Sequence, residues 1–204
     1  MIIKNFIEPP IDNNNYLLID ENAQEAVLID CSAIDNRIQT ELDRYSATLK
    51  YILLTHGHFD HIAGLRPDRF NSAQIVMHSG DNKWLKDVNK YLPMFGMQKI
   101  TIPQIDKFVQ HGDELKFGEN TIKVIHTPGH TQGGVCYLIN DKLFSGDTIF
   151  RESVGRCDLE GGDFCQIVDS IKTKIFTLPP KTVIYPGHGK ITSVEWEKEH
   201  NCFT

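Results

Sequence analysis

The chain has few cysteines, no C-x-x-C pair, no basic block and no long apolar run, and each absence removes a class of protein. Its five cysteines, Cys31, Cys136, Cys157, Cys165 and Cys202, are odd in number and unpatterned. That argues against a disulfide framework and for a reduced thiol set. Lysine and arginine total 21 against 27 aspartates and glutamates, a net charge of −6. Without clustered positive charge, neither a nucleic acid nor a membrane surface is an expected partner. No apolar stretch approaches the roughly 20 residues a spanning helix needs. The start, Met1 to Ile7, lacks the basic region, apolar segment and small-residue cleavage site of a secretory leader, so a cytoplasmic location is expected. Repeats, low-complexity tracts and linkers are missing too. At 204 residues and 40% apolar content, one domain spanning 1–204 is expected.

What the chain does have is histidine in unusual places. His56-Gly57-His58-Phe59-Asp60-His61 packs three imidazoles and a carboxylate into six residues, directly after the apolar run Tyr51 to Thr55. An apolar strand brings the chain to a sheet edge, Gly57 permits the turn, and the turn presents nitrogen and oxygen ligands that suit zinc and its first-row neighbours. Three further segments repeat the theme. Val124-Ile125-His126-Thr127-Pro128-Gly129-His130 offers His130 in a Pro-Gly turn, Leu143-Phe144-Ser145-Gly146-Asp147 offers Asp147 behind a glycine, and Val183-Ile184-Tyr185-Pro186-Gly187-His188 offers His188. One such residue is usually structural. Four segments in the same strand-end context point to a metal site. His78, His111 and His200 lack that context and read as surface or packing residues.

Around these motifs the pattern predicts strands over 2–7, 15–20, 26–30 and 50–55, with a helix over 34–45. A strand over 74–77 leads to a helix from about Ser79, capped by Ser79 or Asp81. Strands follow over 108–110, 114–117 and 121–126, then 134–140 and 142–144 around the turn pair Asn140-Asp141. Helices over 164–176 and 193–200 enclose a last strand, 182–185. The order implies an α+β arrangement, two mixed sheets between helical layers. Tyr91 to Pro103 is irregular; its Met94, Phe95 and Met97 suit either an apolar substrate wall or a cover over the core.

The ordered set H-x-H-x-D-H, a later histidine, a later aspartate and a final histidine resembles the metallo-β-lactamase superfamily along nearly the whole chain. T-H-G-H-F-D-H, H-T-P-G-H-T-Q-G, S-G-D-T-I-F and Y-P-G-H-G look most like the glyoxalase II group, the hydroxyacylglutathione hydrolases, in a short single-domain form. The resemblance implies a four-layer αββα sandwich with two divalent ions at one end of the sheets. Zinc is the expected metal, and iron or manganese suits the same ligands. His56, His58 and His130 would hold one ion, Asp60, His61 and His188 the other, and Asp147 would bridge both. Asp60 and Asp147 would carry the catalysis. A hydroxide between the ions would attack a small-molecule thioester such as S-lactoylglutathione, with Asp60 aiming it. A monomer or homodimer is expected.

The likeness stops at two places. The group's C-terminal helical extension, which supplies basic glutathione contacts, is not expected in the 16 residues after His188. The aromatic that follows its last ligand histidine is replaced by Gly189-Lys190. Arg156 stands where the group uses a basic residue on glutathione; it suits a substrate oxygen and equally an ion pair with Asp158 or Asp163. His126 reads as a residue that orients the His130 turn, not as an eighth ligand. Two other activities share the motifs. One is a persulfide dioxygenase with a single non-haem iron on His56, His130 and Asp147, which the run Gly155-Arg156-Cys157-Asp158 also suits. The other is a lactonase, to which 91–103 would lend an acyl-chain wall. A β-lactamase role fits less well.

Overall fold

Apolar runs of four to eight residues alternate with turn residues, and in the computed structural model, which describes residues 1–33, 36–66 and 73–204, they become two six-stranded sheets. The first sheet holds β1 (Ile2–Glu8), β2 (Asn13–Asp20), β3 (Glu25–Ile29), β4 (Thr48–Leu53), β5 (Gln74–His78) and β6 (Lys107–Val109), in that order. β1, β2 and β3 pair antiparallel; β3 through β6 pair parallel. Parallel neighbours need long crossovers. α1 (Asn36–Arg44) lies between β3 and β4, the short α2 (Phe59–Ile62) between β4 and β5, and α3 (Asn82–Tyr91) between β5 and β6.

The second sheet contains β7 (Glu114–Phe117), β8 (Asn120–His126), β9 (Val135–Ile139) and β10 (Lys142–Gly146). A two-stranded ribbon, β11 (Ile149–Phe150) with β12 (Ser153–Val154), and then α4 (Phe164–Ser170) precede its last members, β13 (Val183–Pro186) and β14 (Thr192–Ser193). The order is β14-β13-β10-β9-β8-β7, parallel only between β10 and β13. α4 runs on into a π turn over Ile171–Ile175, and α5 (Val194–His200) follows β14, capped by Ser193 Oγ on the Trp196 N–H.

Strand alternation sorts the core into layers. Tyr16, Leu18, Val27, Ile29 and Leu53 of the first sheet meet Val124, Tyr137, Ile139 and Phe144 of the second. Leu17, Ile19, Leu28 and Ile52 face the other way, onto Ile38 and Leu42 of α1 and Leu85 and Val88 of α3. Cys136, Leu143 and Ile184 pack under Ile167, Ile171, Ile175 and Val194. The molecule is therefore the four-layer αββα sandwich expected from its sequence. β2 is buried along its whole length: Tyr16 to Ile19 are apolar on both faces, and Asn13 to Asn15 and Asp20 are buried with hydrogen-bond partners.

One end of the sandwich is closed by carboxylates. Asp20, at the end of β2, accepts hydrogen bonds from the N–H groups of Asn22 and Ala23 and, across to the other sheet, from Glu119 N and Asn120 Nδ2. Glu25 accepts from Gly118 N at 2.7 Å and from Lys50 Nζ at 2.9 Å. Gly118 has to be glycine: its φ is +52°, and a Cβ there would lie 2.2 Å from Asp20 Oδ2.

Several predicted details shift. α1 begins at Asn36, and residues 34 and 35 of its predicted span lie outside the described residues. Ser79–Asp81 is a separate 3-10 turn whose first free N–H, on Gly80, is taken by His78 Nδ1 at 3.1 Å. Neither Ser79 nor Asp81 caps α3. Asp81 occupies the cap position, but its carboxylate makes no capping bond because other donors hold it. α2, β11, β12 and β14 escaped the pattern, since two to four residues are too few to show a period. Among the described residues no helix is long and apolar enough to cross a membrane.

Candidate metal centre

The other end of the sandwich gathers the strand-end motifs. The loops after β4, β8, β10 and β13 bring His56, His58, Asp60, His61, His130, Asp147 and His188 together. Three overlapping groups have ligand atoms within 4.8 Å of one another: His56, His58 and His130; His56, His61 and Asp147; and Asp60, His61 and His188. In the first, His58 Nδ1 lies 2.9 Å and His56 Nε2 3.2 Å from His130 Nε2. In the last, Asp60 Oδ2 lies 3.2 Å from His188 Nε2 and 3.5 Å from His61 Nε2. Asp147 stands between them, Oδ2 at 3.6 Å from both His130 Nε2 and His188 Nε2, and Oδ1 at 3.4 Å from His61 Nε2.

Three of the ring nitrogens facing away from this centre are held by acceptors. His130 Nδ1–H donates to the Arg156 carbonyl at 2.7 Å, and His188 Nδ1–H to the Ile11 carbonyl at 3.1 Å. His61 Nδ1–H donates to Asp30 Oδ2 at 2.7 Å. Each bond fixes a tautomer and turns the opposite nitrogen inward, the arrangement a metal-ligating imidazole needs. Asp30 also accepts from Thr55 N and Thr55 Oγ1, both at 2.8 Å, which anchors the residue before His56.

Burial and neighbours set the charges. Burial, then the surrounding imidazoles, hold His56 far below the usual histidine range, and the same causes push His58 down to about 3. Burial works against the charged form of His61, but Asp30, Asp147 and Asp60 outweigh it and raise its pKa well above the ordinary value. His188 is raised too, burial being overcome by Asp60 and Asp147. The Asp60 and Asp147 carboxyls are lowered despite burial, by His61 first. The residues fit a cation. Asp147 Oδ1, on the side of the ligand groups, is buried with no hydrogen-bond partner among the described residues, a cost of about 1–3 kcal/mol for such an atom. The donor set is imidazole and carboxylate, the chemistry of zinc, iron or manganese.

Other predicted residues take different places. The Arg156 guanidinium makes two hydrogen bonds to exposed Asp158, at 2.7 and 2.8 Å, so only its carbonyl touches the centre. His126 donates to the Gln132 carbonyl at 2.9 Å, within the turn that carries His130, and stacks on His78. Met97 packs against the outer core, whereas Met94 is 77% exposed and Phe95 stacks at 4.1 Å on Phe59, the residue between His58 and Asp60.

Sequence reasoning missed three supports. Asp30 ends an apolar strand just as Asp147 does, and that pattern would have found it. The run Asn13-Asn14-Asn15 is polar and carries no ligand-like signature in the sequence, yet it is buried. The Asn13 amide nitrogen lies within 3.0 Å of both ring nitrogens of His61, and Ser32 Oγ donates to its oxygen at 2.7 Å. Asn14 Nδ2 donates to the Pro186 and Gly189 carbonyls on either side of His188, at 3.0 and 3.1 Å. Asn15 Oδ1 accepts from Ser32 N at 2.7 Å. Asp81, read as a helix cap, is the third.

Residues 9–188 match the family model of the metallo-beta-lactamase superfamily. Among curated proteins, a probable metallo-hydrolase, YqgX of Bacillus subtilis, is 33% identical over 95% of this chain and 93% of its own length. The hydroxyacylglutathione hydrolase GloC of Haemophilus influenzae is 31% identical over 93% of this chain and 92% of its own. Among solved structures, the B3 metallo-beta-lactamase BLEG-1 superposes with a TM-score of 0.89 at 35% identity, covering 99% of each chain. TTHA1623 in a di-iron-bound form gives 0.88 at 30% identity, covering 98% of this chain and 100% of its own. ETHE1 from Myxococcus xanthus gives 0.82 at 31% identity, covering 99% and 84%.

Proposed function

The chain belongs to the metallo-beta-lactamase superfamily, and from that premise we propose that it is a binuclear metal-dependent hydrolase of small-molecule thioesters, of the hydroxyacylglutathione hydrolase kind. The observation that carries this reading is the second ligand group. Asp60, His61 and His188 converge opposite the three-histidine group, with Asp147 between the two. A centre built for one ion would not need both.

In this reading His56, His58 and His130 hold one ion, Asp60, His61 and His188 the other, and Asp147 is shared. Two divalent ions so held would lower the pKa of bound water towards about 7 and polarise a carbonyl oxygen. The chain's own residues do the positioning. Arg156, Ile11 and Asp30 aim three imidazoles through their far nitrogens. Asp60, held beside His188 at 3.2 Å, keeps a carboxylate oxygen available to orient an attacking hydroxyl group. The di-iron form of TTHA1623 and the GloC name support two metals and a glutathione thioester as first trials.

The test is elemental analysis of protein purified without added metal, with S-lactoylglutathione, a β-lactam and a lactone assayed on the same sample. About two metals per chain with thioester turnover supports the proposal. One iron per chain, with oxygen uptake on glutathione persulfide and no hydrolysis, replaces it with a dioxygenase. Turnover confined to the β-lactam or the lactone replaces the substrate class.

A further inference from the structure

Asp81 has no surface: it is 0% exposed, yet it carries a carboxylate. Burying that group is costly unless hydrogen bonds compensate, and burial does push its pKa up against the bonds it accepts. Three donors converge on it. Oδ2 accepts from Gly57 N at 2.9 Å and from Thr131 Oγ1 at 2.7 Å, and Oδ1 accepts from Gly133 N at 2.7 Å.

The placement of these donors is selective. Gly57 lies between His56 and His58. Thr131 and Gly133 follow His130. All three ligands of the first group thus flank the contacts of one side chain, while among the described residues the hydrogen bonds of the Asp81 carboxylate reach none of those beside His61 or His188. The fit is close on both loops. A Cβ at Gly57 would lie 2.9 Å from the Asp81 carbonyl and 2.7 Å from Trp84 Cβ; one at Gly133 would lie 2.6 Å from Asp81 Cγ. Neither glycine is needed for a positive φ; both are needed for this approach.

We infer that Asp81 is a positioning residue that clamps the His56–His58 loop to the loop after His130, and so sets the geometry of the three-histidine metal group alone. The inference rests on the reading of that group as a metal nest. A carboxylate is required because it only accepts. An asparagine would turn its own N–H groups toward either Gly133 N or the Gly57–Thr131 pair.

Cobalt(II) is the probe, titrated into metal-free protein against a competing chelator and followed by its visible spectrum, with thermal melting of the metal-free protein alongside. Wild type should bind two ions. Asp81→Asn should weaken one of them by about 10–100-fold, the range for lost outer hydrogen bonds to metal ligands. It should change that ion's spectrum and leave the other ion's affinity in place. Thr131→Val, which removes one donor and keeps the carboxylate, should give a smaller loss at the same ion and serves if Asp81→Asn does not fold. Equal weakening of both ions, or unchanged affinity in a variant that merely melts lower, overturns the inference. No cobalt binding by wild type overturns the metal reading beneath it.

Discussion

The two ends of the sandwich use the same materials to opposite effect. At the closed end, Asp20 and Glu25 are fully engaged, by backbone N–H groups of the 118–120 turn and by Lys50. At the metal end, Asp147 Oδ1 stays buried without a hydrogen-bond partner among the described residues. Both ends are tips of the same strands, so secondary structure does not separate them. Valence does. A buried polar group with its donors in place is scaffold, and one left open marks where something else binds.

The largest effect should come from Asp147→Ala. Thioester turnover should fall to background and elemental analysis should find both metals depleted, because the carboxylate between His61, His130 and His188 is gone. Retained metal would remove the bridging role. Asp20→Ala should do the reverse. Losing its bonds to the 118–120 turn should cost about 2 kcal/mol, roughly 4–8 °C in Tm for a chain of this size, with metal content and turnover kept.

The closed end should also govern acid sensitivity. The Ala23 and Glu119 N–H groups lower the Asp20 pKa, and the Lys50 ammonium, then Gly118 N–H, lower that of Glu25. Groups lowered in this way stabilise the fold above their unfolded values, near 3.8 and 4.5. That contribution fades as pH falls through the lower folded values. Melting curves of Asp20→Ala should therefore lose less stability than wild type below about pH 4; parallel curves would refute the assignment. The smallest effect belongs to Arg156→Ala. Its ion pair with Asp158 is exposed and contributes little, and its carbonyl survives the change. KM for S-lactoylglutathione should move by a few-fold at most, and a tenfold rise would return its guanidinium to the substrate.

These contrasts also explain what could be read from the sequence. Strand periods and the four ligand segments were legible because a metal ligand at a strand end leaves a local signature, as at Asp147 and His188. The layers followed from the order of strands and helices along the chain. Asp81 was not legible. Its position before α3 looks like a cap, and only the fold brings Gly57 and Gly133 to it from 24 and 52 residues away. Arg156 was singled out for its charge, whereas the contact it makes with His130 uses an atom every residue has.

β2 joins the two ends. Asn13 and Asn14 hold the His61 and His188 loops at one tip, and Asp20 grips the 118–120 turn at the other. Seven residue steps of extended chain, about 23 Å, therefore act as a gauge rod between scaffold and centre. A residue inserted within 13–20 has to break one grip or the other, whereas one inserted in the 21–24 turn leaves both. Metal content and Tm of the two insertion variants would read the length tolerance of the centre directly.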